Sequence, residues 1–102
     1  MDNTTFIFKT DGNYLGFIQS GFVFSRDGVY LGWVESKTVW DAEGNFRGAI
    51  SEINSNKYIL RDRFALPPVS RTPKTAPENP IIPDPPRNVA PISSGVSLVD
   101  AF

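Results

Sequence analysis

Three acidic residues recur at equal spacing and are the first candidates for chemistry. Asp11, Asp27 and Glu43 lie sixteen residues apart, and each is followed by a glycine. Paired carboxylates can act as general acid and base, or they can bind calcium. A calcium loop needs several oxygens within one short loop, and only residues 41–43 come near that. Acidic residues before glycine are also typical of turns, and the sequence favours this structural role.

The composition excludes the commonest catalytic and metal sites. The chain has no cysteine and no histidine, which rules out disulfides, thiol nucleophiles, Ser-His triads and the usual zinc sites. The remaining Ser, Tyr, Lys and carboxylate groups are not clustered at an informative spacing. Residues 61–63, Arg-Asp-Arg, offer an anion site, but a solvated charge run is the simpler interpretation. We therefore predict that the protein is not an enzyme and uses no cofactor or metal.

Aromatic residues are the second set of candidates. Phe17, Trp33 and Trp40 are suited to a platform for sugar rings or a peptide, or to a core or subunit interface. An interface is favoured, because a repeat would place these residues at equivalent positions around an axis. Prolines between Pro80 and Pro86 are suited either to a ligand for an aromatic groove or to a spacer.

These candidates belong to a repeated hairpin. Residues 6–18, 22–34 and 38–50 align without gaps at a period of sixteen, and a weaker fourth start follows at residues 58–63. Each copy has an aromatic strand, an acid-Gly turn, a second aromatic and a late glycine. Self-similarity at a fixed period is typical of repeat or propeller-like architectures, and sixteen residues make about one hairpin.

The turn chemistry leaves two possible hairpin registers. In one, Asp11 and Gly12 form a two-residue type I′ loop. In the other, Lys9 to Gly12 form a type I turn that ends in a bulged, left-handed glycine. The third copy favours the second register, because it has Asp41 in first and Gly44 in fourth place. This register predicts the pairs Phe8 with Tyr14, Phe24 with Tyr30, Trp40 with Phe46, Phe6 with Gly16, and Phe22 with Gly32.

Strand alternation makes both faces of each hairpin apolar. In the first hairpin one face is predicted to carry Phe6, Phe8, Tyr14 and Ile18, and the other Ile7, Leu15 and Phe17. An antiparallel sheet normally has one solvated face. One face should therefore be covered by the chain's own tail, by another hairpin or by another subunit, so we expect a homo-oligomer or a protein partner.

The composition divides the chain into residues 1–66, the hairpin domain, and residues 67–102, the tail. All nine prolines lie between Pro67 and Pro91, whereas twelve of the thirteen aromatics lie at or before Phe64. The tail is either extended, as proline favours, or disordered. Ile81, Ile82 and Phe102 are its apolar candidates for docking on the core or on a neighbouring chain.

Charge and hydropathy exclude some classes of partner. The net charge is −1 with both signs interspersed, unlike the basic face of a nucleic-acid-binding protein. No apolar run approaches the roughly 20 residues of a membrane span, and the first five residues do not resemble a signal peptide. We therefore expect no nucleic-acid partner, no membrane association and a cytoplasmic location.

Several of these features together resemble a known family. The repeated acid-Gly turn and the Leu31-Gly32-Trp33 motif, followed by Leu66-Pro67-Pro68 and a final Asp100-x-Phe102, are similar to the bacterial four-fold beta flower proteins. The chain departs from that pattern at Arg47, where an aliphatic or small residue is usual, and in having residues 96–99 without the usual tryptophan. The resemblance implies hairpin petals around a central axis and carries over no catalytic or binding residues.

We predict a small all-β protein, a pseudo-symmetric meander of hairpin repeats with an extended proline-rich tail. The expected function is a non-enzymatic self-assembly or protein-binding module. The alternative is a carbohydrate- or small-ligand-binding module that uses the repeated aromatics.

Overall fold

The computed structural model describes residues 4–75, 79–93 and 98–102. The described chain is all-β, as predicted, with eight strands and no helix. Within these residues no helix is therefore available to cross a membrane. The strands are β1 Thr5–Phe8, β2 Tyr14–Gln19, β3 Phe22–Ser25, β4 Tyr30–Glu35, β5 Thr38–Asp41, β6 Phe46–Ile53, β7 Asn56–Asp62 and β8 Leu98–Asp100.

The first seven strands form a closed ring. Each strand pairs antiparallel with the next, and β1 closes the ring by pairing parallel with β7 at Ile7–Lys57 and Phe8–Tyr58. Farther along β7, β8 pairs antiparallel, with Asp100 opposite Leu60. The sheet therefore includes residues from both the predicted hairpin domain and the predicted tail.

All three hairpin turns have the predicted type I geometry. The N–H of the turn glycine donates to the oxygen three residues earlier in each case: Gly12 to Lys9, Gly28 to Ser25 and Gly44 to Asp41, all at 2.9 Å. The three glycines have φ between 85° and 92°, a conformation that glycine adopts without steric cost. Carboxylates stabilise the outer turns, since Asp11 accepts from Asn13 N and Asp41 from Glu43 N and Asn45 N.

The strand register confirms part of the prediction. Phe8 is opposite Tyr14, Phe24 opposite Tyr30 and Trp40 opposite Phe46. The predicted pairs of Phe6 with Gly16 and Phe22 with Gly32 are wrong, because a bulge shifts the register by one residue. Gly16 is instead opposite Ile7 and Gly32 opposite Val23.

The bulge also decides which side chains fill the interior. Ile7, Val23, Val39 and Ile59 come from the four odd-numbered strands β1 to β7 and form one buried cluster. Ile18 joins this cluster, and Phe17 lies opposite Phe6 on the other face. The predicted faces of Ile18 and Phe17 are therefore reversed, since a shift of one residue moves a side chain to the opposite face. Both faces are apolar, as predicted.

Two-residue loops join successive hairpins. They are Ser20–Gly21, Ser36–Lys37 and Asn54–Ser55, and all six residues have positive φ. Two consecutive residues with positive φ are typical of a type I′ turn, whose twist matches that of the flanking strands. Such short links hold neighbouring hairpins side by side, which places their outer faces on one continuous surface.

Candidate binding surface

The outer face of the ring carries the paired aromatics. Phe17 stacks on Phe24 with ring centroids 5.4 Å apart, and Trp33 is opposite Trp40. The three aromatics that the sequence proposed for ligand or subunit contact are all buried within the chain, with relative exposures of 0% for Phe17, 1% for Trp33 and 3% for Trp40. A stacking platform needs an open ring face, so these side chains do not form one.

Cations of the following segment cover the two tryptophans. We call residues 63–75 and 79–93 the strap; they connect β7 to β8 and contain no helix or strand. The Arg71 guanidinium lies 4.8 Å from the Trp40 ring centre, and Lys74 Nζ lies 5.6 Å from that of Trp33. Glu35 pairs with both cations, at 3.2 Å and 3.8 Å, and accepts from Trp33 Nε1 at 3.0 Å. Side chains of the strap thus occupy the positions that a sugar would need.

The strap binds the third hairpin through its turn. Arg71 N donates to Gly44 O at 2.7 Å, and Ser70 Oγ donates to Asn45 Oδ1 at 2.9 Å. A Cβ at Gly44 would lie 1.9 Å from Arg71 O. Glycine is therefore required here for close backbone approach as well as for its φ.

The first hairpin holds a second part of the strap in the same way. Val89 N donates to Gly12 O at 2.9 Å, and Asn88 Nδ2 donates to Asn13 Oδ1 at 3.1 Å. A Cβ at Gly12 would lie 2.0 Å from Val89 O. The two bound pieces, residues 70–73 and 88–91, share the order polar residue, backbone donor, small residue, proline.

The middle hairpin contacts the strap differently. Its turn has Val29 in the position of Asn13 and Asn45, and within the described residues no strap N–H donates to Gly28 O. The nearest strap atoms belong to the flexible end of Ile82, and Gln19 Nε2 donates to Ile81 O at 2.6 Å. A groove of about 370 Å³ lies between the strap and this hairpin, lined by Gln19, Ser20, Phe22, Phe24, Asn79, Pro80 and Ile81.

The last described residues are fixed by charged groups. Asp100 accepts from Thr10 N at 2.9 Å and from Thr10 Oγ1 at 2.8 Å. The Arg47 guanidinium donates twice to Ala101 O and lies 4.4 Å from the centre of the Phe102 ring. Arg47, the departure noted in the sequence, therefore holds the segment that contains Asp100 and Phe102.

The residues predicted for tail docking have three different environments. Phe102 is half-buried and packs against the interior cluster. Ile82 lies over Gly28. The Ile81 side chain is exposed to solvent, and only its carbonyl is seen to contact the ring, through Gln19.

The pKa is shifted for two tyrosines of the outer face and for one turn carboxylate. Burial raises the pKa of the Tyr14 and Tyr30 hydroxyls, with Arg26 opposing the shift at Tyr14. The Asn13 backbone N–H lowers the pKa of Asp11. Across residues 4–75, 79–93 and 98–102, no three His, Cys, Asp or Glu side chains gather in a way that could hold a metal ion.

Sequence reasoning missed the residues that hold the strap. The available signals were the two Gly-Asn turns at residues 12–13 and 44–45 and the matching pieces at residues 70–73 and 88–91. Neither pattern shows by itself that the two bind each other, because the partners lie far apart in sequence, 27 residues from Gly44 to Arg71 and 77 residues from Gly12 to Val89.

The chain is similar to a known protein family. A family model described as "4-fold beta flower protein" matches residues 1–97. The chain belongs to this family. The resemblance noted in the sequence is therefore confirmed. No match was found among curated proteins or among solved structures.

Proposed function

We propose that this beta flower protein is a non-enzymatic self-assembly or protein-binding module. The observation that carries the proposal is that two hairpin turns, Gly12 and Gly44, each accept a strap N–H and lie against the strap backbone. The same contact made twice on one surface indicates that holding an extended chain is a property of the hairpin. The ring would hold its own strap, a strap from another copy, or a similar segment of a partner.

We also propose the finer architecture that supports this function. The three hairpins would be copies of one sixteen-residue unit arranged with pseudo-symmetry, and residues 67–102 would form an extended proline-rich tail. The equal turn geometry, the three cross-hairpin aromatic pairs and the common interior cluster support the repeat. The antiparallel pairing of β7 with β8 supports a fourth unit completed by the end of the tail.

The contacts suggest which segments the surface would accept. The turn oxygen recognises a backbone N–H, and the strap places proline two residues after that donor in both pieces. Proline-containing segments are already extended and lose little entropy on binding. Strap cations lie over the tryptophan rings, which argues against a carbohydrate stacking on them.

Sedimentation velocity of the full chain tests the self-assembly part of this proposal. We expect the sedimentation coefficient to rise with concentration across the micromolar range. A strict monomer throughout that range would contradict self-assembly. Binding of a fluorescent peptide with the sequence of residues 69–74 would then test protein binding, and a Gly44→Ala ring serves as the control for specific capture.

A further inference from the structure

The exposed apolar side chains of the described residues fall into two patches. Patch A contains Phe64, Leu66 and Val69, which are 70%, 93% and 88% exposed. Patch B contains Val29, Ile81 and Ile82, which are 60%, 84% and 54% exposed. Together they include every large apolar residue that is exposed in the described chain. Contiguous exposed apolar groups are typical of interaction sites.

The patches lie on opposite sides of the molecule. Patch A begins just after β7 and ends at Val69, next to the Ser70 that contacts the third turn, and patch B lies on the turn between β3 and β4 and on the strap over it. In the closed ring of seven strands, β7 is three strands away from β3 in one direction and from β4 in the other. Phe64, which follows β7, is therefore three strands away from the turn that carries Val29, and a contact between them would join two molecules.

Patch A has the sequence order that the outer turns bind. In residues 70–73 and 88–91 the first residue contacts the asparagine after the turn glycine, the second donates its N–H, and the fourth is proline. Residues 64–67, Phe-Ala-Leu-Pro, also place proline two residues after a possible backbone donor, but they have an apolar residue first and the larger Leu66 third. The middle turn has Val29 in place of the asparagine. Polar first residues thus face Asn13 and Asn45, and an apolar first residue matches Val29.

In the middle turn, the carbonyl that matches the acceptors Gly12 O and Gly44 O is that of Gly28. Within the described residues no strap N–H donates to Gly28 O. The Ala65 N–H now donates to Asp62 O at 3.2 Å, the longest of the turn and loop backbone bonds. The strap atoms nearest a Cβ at Gly28 are the end of the Ile82 side chain and, at 3.7 Å, the Pro80 ring; the Ile82 end can change rotamer.

We propose that patch A of one copy docks on patch B of a second copy. Phe64 packs against Val29, and Ala65 N–H donates to Gly28 O, as Val89 does to Gly12 O within one chain. This rests on the proposed self-assembly and names the surfaces that carry it. The contact joins two different patches, so it is head-to-tail and leaves one patch free at each end of a dimer.

Paired variants test the contact. Variant A combines Leu66→Ser with Val69→Ser, and variant B combines Val29→Ser with Ile81→Ser; all four side chains are exposed, so the fold should be retained. In sedimentation velocity the full-length wild type should associate, and each variant alone should associate roughly tenfold more weakly or worse. A 1:1 mixture should form dimers and nothing larger, because each variant keeps one intact patch. Circular dichroism confirms folding.

The outcomes separate this contact from the function itself. If the wild type associates and both variants associate equally well, the patch contact is wrong and self-assembly stands. If both variants are monomeric and their mixture is monomeric too, the head-to-tail arrangement is wrong. If the wild type is monomeric across the micromolar range, both self-assembly and this contact are wrong.

Discussion

At the scale of single residues, the three turn glycines have one conformation and two kinds of neighbour. Gly28 and Gly44 both have φ near +87°, at 85° and 89°. A Cβ at Gly44 meets a strap carbonyl oxygen at 1.9 Å, whereas a Cβ at Gly28 meets the flexible end of Ile82 at 2.9 Å. Substituting Gly28 measures the effect of the backbone conformation alone, whereas substituting Gly44 also disturbs the contact with the strap backbone.

We expect Gly44→Ala to release the strap and Gly28→Ala to leave it in place. Both variants pay about 1–2 kcal/mol for alanine in the left-handed region, and only Gly44→Ala also displaces the Arg71 carbonyl. Limited trypsin digestion should therefore cleave after Arg71 and Lys74 several-fold faster in Gly44→Ala than in Gly28→Ala. Equal cleavage rates would show that the Gly44 contact does not hold the strap.

Tyr14 gives the outer face a dependence on alkaline pH. Burial raises the pKa of its hydroxyl above the ordinary value of 10.0, so folding favours the neutral phenol. The stability that Tyr14 contributes is complete below the unfolded-state pKa and is lost as pH rises through the folded-state pKa. Urea unfolding at pH 7 and pH 11 should show a smaller alkaline loss of stability in Tyr14→Phe than in wild type. An unchanged loss would mean that other groups cause it.

At the scale of elements, the links between hairpins are not equally suited to their shape. The second residue of the link is Gly21 in one case and Lys37 in the next, with φ of 82° and 72°. A non-glycine residue pays about 1–2 kcal/mol in this region, which the extra freedom of glycine in the unfolded chain partly offsets.

We expect Lys37→Gly to raise the free energy of unfolding by about 0.5 kcal/mol, the difference between these two effects. Thermal and urea unfolding measure the change. Lys9→Gly is the control, because Lys9 lacks a positive φ and glycine there should destabilise. Lower stability in Lys37→Gly would indicate that its side chain contributes more than the backbone strain costs.

The hairpins could be predicted from sequence because their signals are local. The third copy, with Asp41 first and Gly44 fourth, favours a type I turn that ends in a left-handed glycine, and this turn predicts the pairing of Phe8 with Tyr14. The residues beyond the bulge were misplaced because nothing local shows which residue is left unpaired. That one-residue error exchanged the faces of Phe17 and Ile18 and paired Gly16 with the wrong partner.

The strap contacts could not be predicted, because they join residues far apart in sequence. Composition shows that both faces are apolar and that a cover is needed, and it identifies Phe102 as a candidate. It does not show that Arg71 and Lys74 lie over tryptophans, since surface cations usually remain in solvent. Nor does it show that Arg47 holds Ala101, a contact between residues 54 positions apart.

At the scale of the whole molecule, β7 pairs both with β1, which closes the ring, and with β8, which lies near the end of the chain. The parallel contact of β1 with β7 has only two residue pairs, and β8 continues along the same edge of β7. Asp100 then joins β8 to the first turn through Thr10. The closure of the ring and the docking of β8 should therefore stabilise each other.

We expect Asp100→Ala to lower the free energy of unfolding by about 2 kcal/mol, since it removes two hydrogen bonds to a charged acceptor. Asp84→Ala removes the same charge at an exposed position of the strap and should change it little. Urea unfolding followed by tryptophan fluorescence is the measurement, because Trp33 and Trp40 are buried in other hairpins. If the ring unfolds as one unit, these distant tryptophans must report the loss. An unchanged fluorescence midpoint combined with faster proteolysis of the strap would show instead that the end of the chain detaches without opening the ring.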